Sequence, residues 1–405
     1  MFVHDFACGW LENPFFKNSL LIKDHEMVEK VIINGIKELF IDTEKGVAPK
    51  NEKSAPAAQV VDELPEEIET AGAHVFSMIT FEKKLNGIEP RGLREELPDA
   101  LKLREEMETV LEDVFNTVLS GDRINMSATV EVSKKMVEST FRNDTALPCI
   151  AKVQTTGKYL VSRALNVSSL MIAFARHLGM QPQEMIDMTI GSLLHDIGML
   201  RVNQYLVNKK EKLTPQELDE IRMHVLFSYD IVSEAVGDAP VVSQMALLHH
   251  ERFDGSGYPH GVGGEDIPKM ARMLAIVDIF DAITTPRVYG EAINLSAANR
   301  KLLGMVGEKQ VDEALTHHFI RCIGIYPVGT MVRLSSGKMG IVIKQNPDSL
   351  LTPVVKIIYD DKKNGFIRPR NLNLAAPPED KAEEKIVSAG VEKKFKINPI
   401  DFLLA

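Results

Sequence analysis

Cysteine is scarce in this 405-residue sequence, and the three present, Cys8, Cys149 and Cys322, stand far apart. They form neither a disulfide framework nor the Cys-x-x-Cys spacing of a structural zinc site, and they suit a reducing compartment. Long apolar runs are also missing. No stretch approaches the ~18 uncharged apolar residues of a spanning helix. The opening, MFVHDFACGWLENPFF, lacks a basic region followed by an apolar run, so it does not read as a secretory signal. The expectation is a cytoplasmic chain with no membrane partner. Positive charge is in deficit, with 47 Lys+Arg against 57 Asp+Glu and a formal net charge of −10. That argues against DNA or RNA as a partner. A small anionic ligand stays open, because a bound metal reverses the local sign. No repeat of the ~20–50-residue solenoid kind is present.

What is there is an ordinary globular composition, 44% hydrophobic and 26% charged. The organisation reads as a mainly α chain. Residues 1–45 form a small N-terminal α/β unit, taken as regulatory. Phe2-Val3, Leu20-Leu21-Ile22 and Leu39-Phe40-Ile41 are its strands, and Asp24 caps a helix running to Asn34. Residues 46–95 are rich in Lys, Glu, Ala and Pro and read as a linker. Residues 96–150 are connecting helices, with an apolar stripe from Leu101 through Met107, Leu111 and Phe115 to Leu119. Residues 151–325 are almost wholly helical by pattern. There Thr214-Pro215-Gln216-Glu217 is a capping box, with Leu218, Ile221 and Val225 as the buried face after it. Pro240 opens a helix over 241–251, and Ile267-Pro268 opens one through Asp281. Residues 326–374 switch to β-branched runs separated by turns, a small antiparallel β module, and 375–405 read as a tail.

Within the helical region stand His195-Asp196, His224, His249-His250 and Asp278, successive groups lying 25 to 29 residues apart. One helix hairpin takes about that length, so each group returns to the same end of a bundle, as bundle metal sites require. The set is imidazole and carboxylate, which suits Fe, Mn, Zn or Ni. Ionisable groups on semi-buried faces are costly unless paired or metal-bound, and Asp196 on its apolar helix needs a partner. A lone histidine on an apolar helix is more often a hydrogen-bonded core residue; six such residues at hairpin spacing are not. The other histidines (His4, His25, His74, His177, His260, His317 and His318) read as surface or core. After His249-His250, the segment Asp254-Gly255-Ser256-Gly257 is a tight glycine turn, and Tyr258-Pro259 stiffens its exit. The loop reads as held at the mouth of a metal site.

Leu194-His195-Asp196-Ile197-Gly198 and the run from His249 to Pro259 resemble the bacterial HD-GYP phosphohydrolases, a branch of the HD superfamily that hydrolyses cyclic dinucleotides. The segment Asp278 to Thr284 resembles that family's following Asp-containing helix. The likeness covers about 151–325, and the N-terminal unit and Tyr326-Pro327-Val328-Gly329 resemble accessory segments of one subgroup. The resemblance implies a helical HD-type bundle and two divalent transition metal ions, Fe or Mn first, then Ni or Zn. Their ligands would be His195, Asp196, His224, His249, His250 and Asp278, with Asp196 bridging. Catalysis would also use Arg287 and Asp281. Arg287, Gly257, Tyr258 and Arg163 would contact substrate. The implied reaction is metal-dependent hydrolysis of cyclic di-GMP, or of cyclic GMP-AMP, to the linear dinucleotide. Signalling proteins such as diguanylate cyclases, and a homodimer, are the implied partners.

The sequence departs from the family pattern at four positions. Arg163 stands where relatives have a metal-binding histidine, and Tyr159 where three-metal members have a glutamate. Met199 replaces a lysine, and Gly290 an arginine. These departures support a second reading, a catalytically impaired module that binds nucleotide or protein.

Overall fold

The computed structural model describes the backbone of residues 2–6, 20–21 and 39–41, and residues 80–151, 159–209, 211–237, 239–285, 293–346, 348–376, 384–390 and 398–404 with their side chains. The chain divides into two compact units, Met1–Gly72 and Ala73–Ala405. In the first, β1 (Phe2–Phe6) lies between β2 (Leu20–Leu21) and β3 (Leu39–Ile41), both antiparallel to it. The helix expected at Asp24–Asn34 lies outside the described residues.

The second unit is a helical bundle carrying a small sheet. Its hub is the helix Tyr159–His177, whose run from Ala164 to Ala175 is buried almost throughout. A helix apolar on every side belongs inside a core. Around it pack the helices Leu93–Ser120, Ser127–Arg142, Pro182–Leu194, Lys269–Thr284 and Glu313–Ile323. Leu103, Met107, Leu111, Val114, Phe115 and Val118 form the buried face of the first of these, while Leu119 is exposed. The helices His224–Val236 and Pro240–Leu248 pair with each other, and the second also packs on Pro182–Leu194. Among the described residues no helix is long and apolar enough to cross a membrane.

Several boundaries differ from the pattern reading. The capping box forms, with Thr214 and Glu217 each accepting the other's backbone N–H, but the helix Pro215–Arg222 buries none of its residues. Leu218 is exposed, and Val225 is buried because a new helix starts at His224. The Pro240 helix stops at Leu248, three residues short of the expected end, and the Pro268 helix runs on to Thr284. The strands of the C-terminal sheet are Met331–Leu334 (β4), Lys338–Lys344 (β5), Val354–Asp360 (β6), Gly365–Asn373 (β7) and Ile386–Ala389 (β8). Their order is β7-β6-β5-β4-β8, all antiparallel. Strand β8 falls in the stretch that reads as tail, where only four residues carry the pattern. A last helix, Pro399–Leu404, buries Ile400 and Leu403.

One buried ion pair ties the helices Leu93–Ser120 and Ser127–Arg142. Glu96 is fully buried and accepts from Arg142 Nε (2.7 Å) and Nη2 (2.9 Å) and from Ser139 Oγ (2.8 Å). Glu96→Ala leaves Arg142 without this bidentate partner, and should cost about 2–3 kcal/mol in denaturant unfolding, Arg142 being partly solvated.

Candidate metal centre

The clustered side chains come from helix ends more than from helix faces. The helix Pro182–Leu194 ends just before His195, and a 3₁₀ turn, Ile197–Leu200, begins just after Asp196. His224 is the first residue of its helix, and His249-His250 follow the last turn of Pro240–Leu248. Only Asp278 lies within a helix. A helix end leaves backbone carbonyls without intrahelical partners, and three imidazoles use this. His195 Nδ1 bonds the Ser192 carbonyl (2.8 Å), His224 Nδ1 that of Ile221 (2.8 Å) and His249 Nδ1 that of Ala246 (2.9 Å). A ring nitrogen facing a carbonyl must donate, so in the neutral ring Nε2 carries the lone pair. All three Nε2 atoms are buried, have no well-formed hydrogen bond, and point into one pocket.

Asp196 divides that pocket. Its Oδ1 lies 3.3 Å from His224 Nε2 and 3.5 Å from His249 Nε2, and its Oδ2 lies 3.3 Å from His195 Nε2. Asp278 Oδ1 is 3.6 Å from His195 Nε2. Two ligand groups result, Asp196 with His224, His249 and His250, and His195 with Asp196 and Asp278, the atoms of each lying within 4.8 Å of one another. Arg163 reaches into the second group from the hub helix. It donates through Nη2 to Asp278 Oδ1, and its Nε is 3.2 Å from Asp196 Oδ2.

The charges are strongly coupled. Burial opposes ionisation of Asp196 and Asp278, but Arg163 and His195 outweigh it and hold both carboxyls well below the usual carboxylate range. Burial likewise opposes charge on His195, yet Asp196 and Asp278 raise it to about 10. Burial and the neighbouring imidazoles push His249 and His250 down. Arg163, despite burial, is held well above its ordinary value by the same two aspartates.

The loop after His250 forms the mouth. Tyr258 stacks on His250 at 4.8 Å between ring centroids, Arg222 sits 5.2 Å over the tyrosine, and the Tyr258–Pro259 bond is cis. Glu251, which carries no sequence signal of its own, is buried and accepts from the backbone N–H groups of His260 (2.7 Å) and Gly261 (3.0 Å), pinning the loop. A Cβ at Gly257 would stand 2.4 Å from Arg252 N and Glu251 Cα, so only glycine lets the loop fold back this closely. Asp281 is buried one turn beyond Asp278. It accepts from Thr285 (3.0 Å) and acts electrostatically on the buried Arg104, another residue without a sequence signal. Asp281 also lines a separate cavity of about 750 Å³ beside Cys149, Cys322 and Ile343, which includes none of the six clustered residues. Met199 lies in the 3₁₀ turn and Tyr159 is exposed at the hub helix's start. Arg287 and Gly290 lie outside the described residues.

An HD domain family matches residues 146–315, and a domain of unknown function, DUF3391, matches residues 1–129. The cyclic di-GMP phosphodiesterase PA4108 of Pseudomonas aeruginosa is 31% identical over 377 residues, 92% of this chain and 86% of that one. This chain belongs to the HD-GYP family. Two further relatives match shorter stretches. The cyclic di-GMP phosphodiesterase response regulator RpfG of Xanthomonas campestris is 32% identical over 52% of this chain and 53% of its own. The 3'3'-cGAMP-specific phosphodiesterase 3 of Vibrio cholerae is 31% identical over 38% and 35%. The HD pair of the family name is here His195-Asp196, and the GYP triplet is Gly257-Tyr258-Pro259.

Two outcomes follow from this geometry. A Cβ at Gly198 would fall 2.1 Å from the His224 carbonyl oxygen and 2.5 Å from Ser228 N. Gly198→Ala should therefore drive the His224 helix away from Asp196, cost about 1–3 kcal/mol by overpacking, and lower metal content measured by elemental analysis. In chelated protein, His195 is raised from 6.5 to about 10, so its stabilising charge is complete below the lower value and lost as pH rises through the upper one. The melting temperature under chelator should fall between neutral pH and about pH 10, and His195→Gln should remove that part of the fall.

Proposed function

We propose that the chain is a metal-dependent phosphodiesterase hydrolysing cyclic di-GMP, or a related cyclic dinucleotide, to the linear dinucleotide. The observation that carries this is the convergence, in one buried pocket, of three imidazole Nε2 atoms without hydrogen-bond partners and two ionised carboxylates. That donor set fits a divalent transition ion, and its N/O character suits Mn or Fe. His224, His249, His250 and Asp196 form the group that would hold it. The bound ion would supply Lewis acidity toward a phosphoryl oxygen and a water nucleophile.

The chain's own residues do the rest. Among the described residues no cysteine supplies a nucleophile, since burial pushes the Cys149 and Cys322 thiols up to about 12. Backbone carbonyls hold each imidazole in the tautomer and orientation that ligation needs. Arg163 holds a fixed positive charge against Asp196 and Asp278, and Arg287 is the expected fork-shaped donor to two phosphate oxygens. Tyr258, backed by His250 and Arg222, offers an aromatic wall for a nucleobase at the mouth. Cyclic di-GMP is the first choice of substrate, because the relative that aligns over 92% of the chain is named for it.

The Arg163 ion pairs favour one other reading, a module that binds nucleotide without turning it over. Hydrolysis of cyclic di-GMP and 3'3'-cGAMP by Mn- or Fe-loaded protein separates the two. Steady turnover is expected, with Asp196→Ala lowering kcat/KM by at least about 100-fold, the upper range for residues that merely support a ligand. Micromolar nucleotide binding without turnover would establish the second reading.

A further inference from the structure

We infer that the Arg163 guanidinium occupies one of the two cation positions of this centre, so that the chain holds a single divalent ion on His224, His249, His250 and Asp196. The inference rests on the metal-dependent reading above and concerns the number and place of ions.

The two faces of Asp196 differ in what they meet. Oδ1 lies nearest the imidazoles of His224 and His249, with His250 completing the group. Oδ2 faces His195 and Arg163. The remaining oxygen of the second group, Asp278 Oδ1, accepts a hydrogen bond from Arg163 Nη2. Arg163 thus engages both carboxylate oxygens that His195 would share with an ion. A metal–oxygen bond of ~2.0–2.2 Å would put an ion within a few ångströms of the guanidinium, in a buried pocket where like charges are poorly screened. The positions of guanidinium and second ion are therefore mutually exclusive.

The guanidinium is also held in place. Arg163 rises from the buried hub helix, and its side chain is 13% exposed, so it has little room to swing into solvent. Retreat would leave Asp196 and Asp278 without its charge until an ion replaced it. A planar, permanently charged fork bridging two carboxylates supplies the neutralising charge that a divalent ion supplies elsewhere. The first group keeps three imidazoles and one carboxylate oxygen, enough donors for one transition ion with an open position.

The test is a count of ions, independent of turnover. Metal-stripped wild type is titrated with Mn²⁺, with bound metal read by elemental analysis and its environment by electron paramagnetic resonance. One equivalent per chain is expected, showing the hyperfine pattern of an isolated ion. His224→Ala should lose that ion and His195→Ala should keep it. Arg163→His, which removes the cation and adds a ligand, should take up a second equivalent with the signal of a coupled pair.

Two equivalents or a coupled pair in wild type would overturn the inference. So would no bound ion, an ion lost with His195→Ala but kept with His224→Ala, or a folded Arg163→His still binding one. Should Arg163→His fail to fold by circular dichroism, the wild-type count and the two alanine variants decide the matter alone. A chain with one tightly bound ion and no turnover would refute the proposed reaction while upholding the ion count.

Discussion

Two carboxylates in the middle of a helical bundle demand positive charge beside them, and much of the second unit is arranged to provide it. Asp196 and Asp278 are almost fully buried. An unpaired ionised carboxylate in that position would cost several kcal/mol, so the fold must either leave it protonated or bring cations to it. It brings Arg163 from the hub helix and His195 from the end of the next, and leaves room on the far face of Asp196 for three further imidazoles. The same carboxylates that would be a liability in an empty core define where cationic groups gather.

Helix termini make this economical. A carbonyl left over at a helix end needs a donor, and an imidazole three residues further on supplies it through Nδ1. The bond answers the helix's requirement and at once turns the basic Nε2 toward the pocket. Placing ligands at ends also brings different helices to one point without threading their faces together. Gly198 allows a close approach of the His224 helix, and Ser228 Oγ completes it by accepting the Gly198 N–H at 2.8 Å. Glu251 does comparable work for the mouth, holding the glycine loop over the pocket through two backbone N–H groups.

Much of this was legible in the chain itself, because its signals are local or periodic. The helical character of the middle region follows from apolar spacing, the β module from β-branched runs between turns, and the capping box at Thr214 from four consecutive residues. The convergence of His195, Asp196, His224, His249, His250 and Asp278 was legible as hairpin-length spacing of costly side chains. Helix phase was the weaker guide. It placed His224 on the preceding helix and His249 inside its own, whereas both stand at boundaries that capping carbonyls and packing determine.

Sequence by itself determined the ingredients: a helical bundle with a β module, six imidazole and carboxylate groups at bundle spacing, and an arginine where family likeness leads one to expect histidine. Only the tertiary structure decided how they meet. It turned that arginine inward onto Asp196 and Asp278, set one oxygen of Asp196 toward His224 and His249 and the other toward His195 and the guanidinium, and gave Glu251 and Gly198 their roles. The physical reason is that these outcomes depend on distances between residues up to 115 positions apart. Composition and periodicity report which face of an element is buried, and not which atom of a distant element it will meet there.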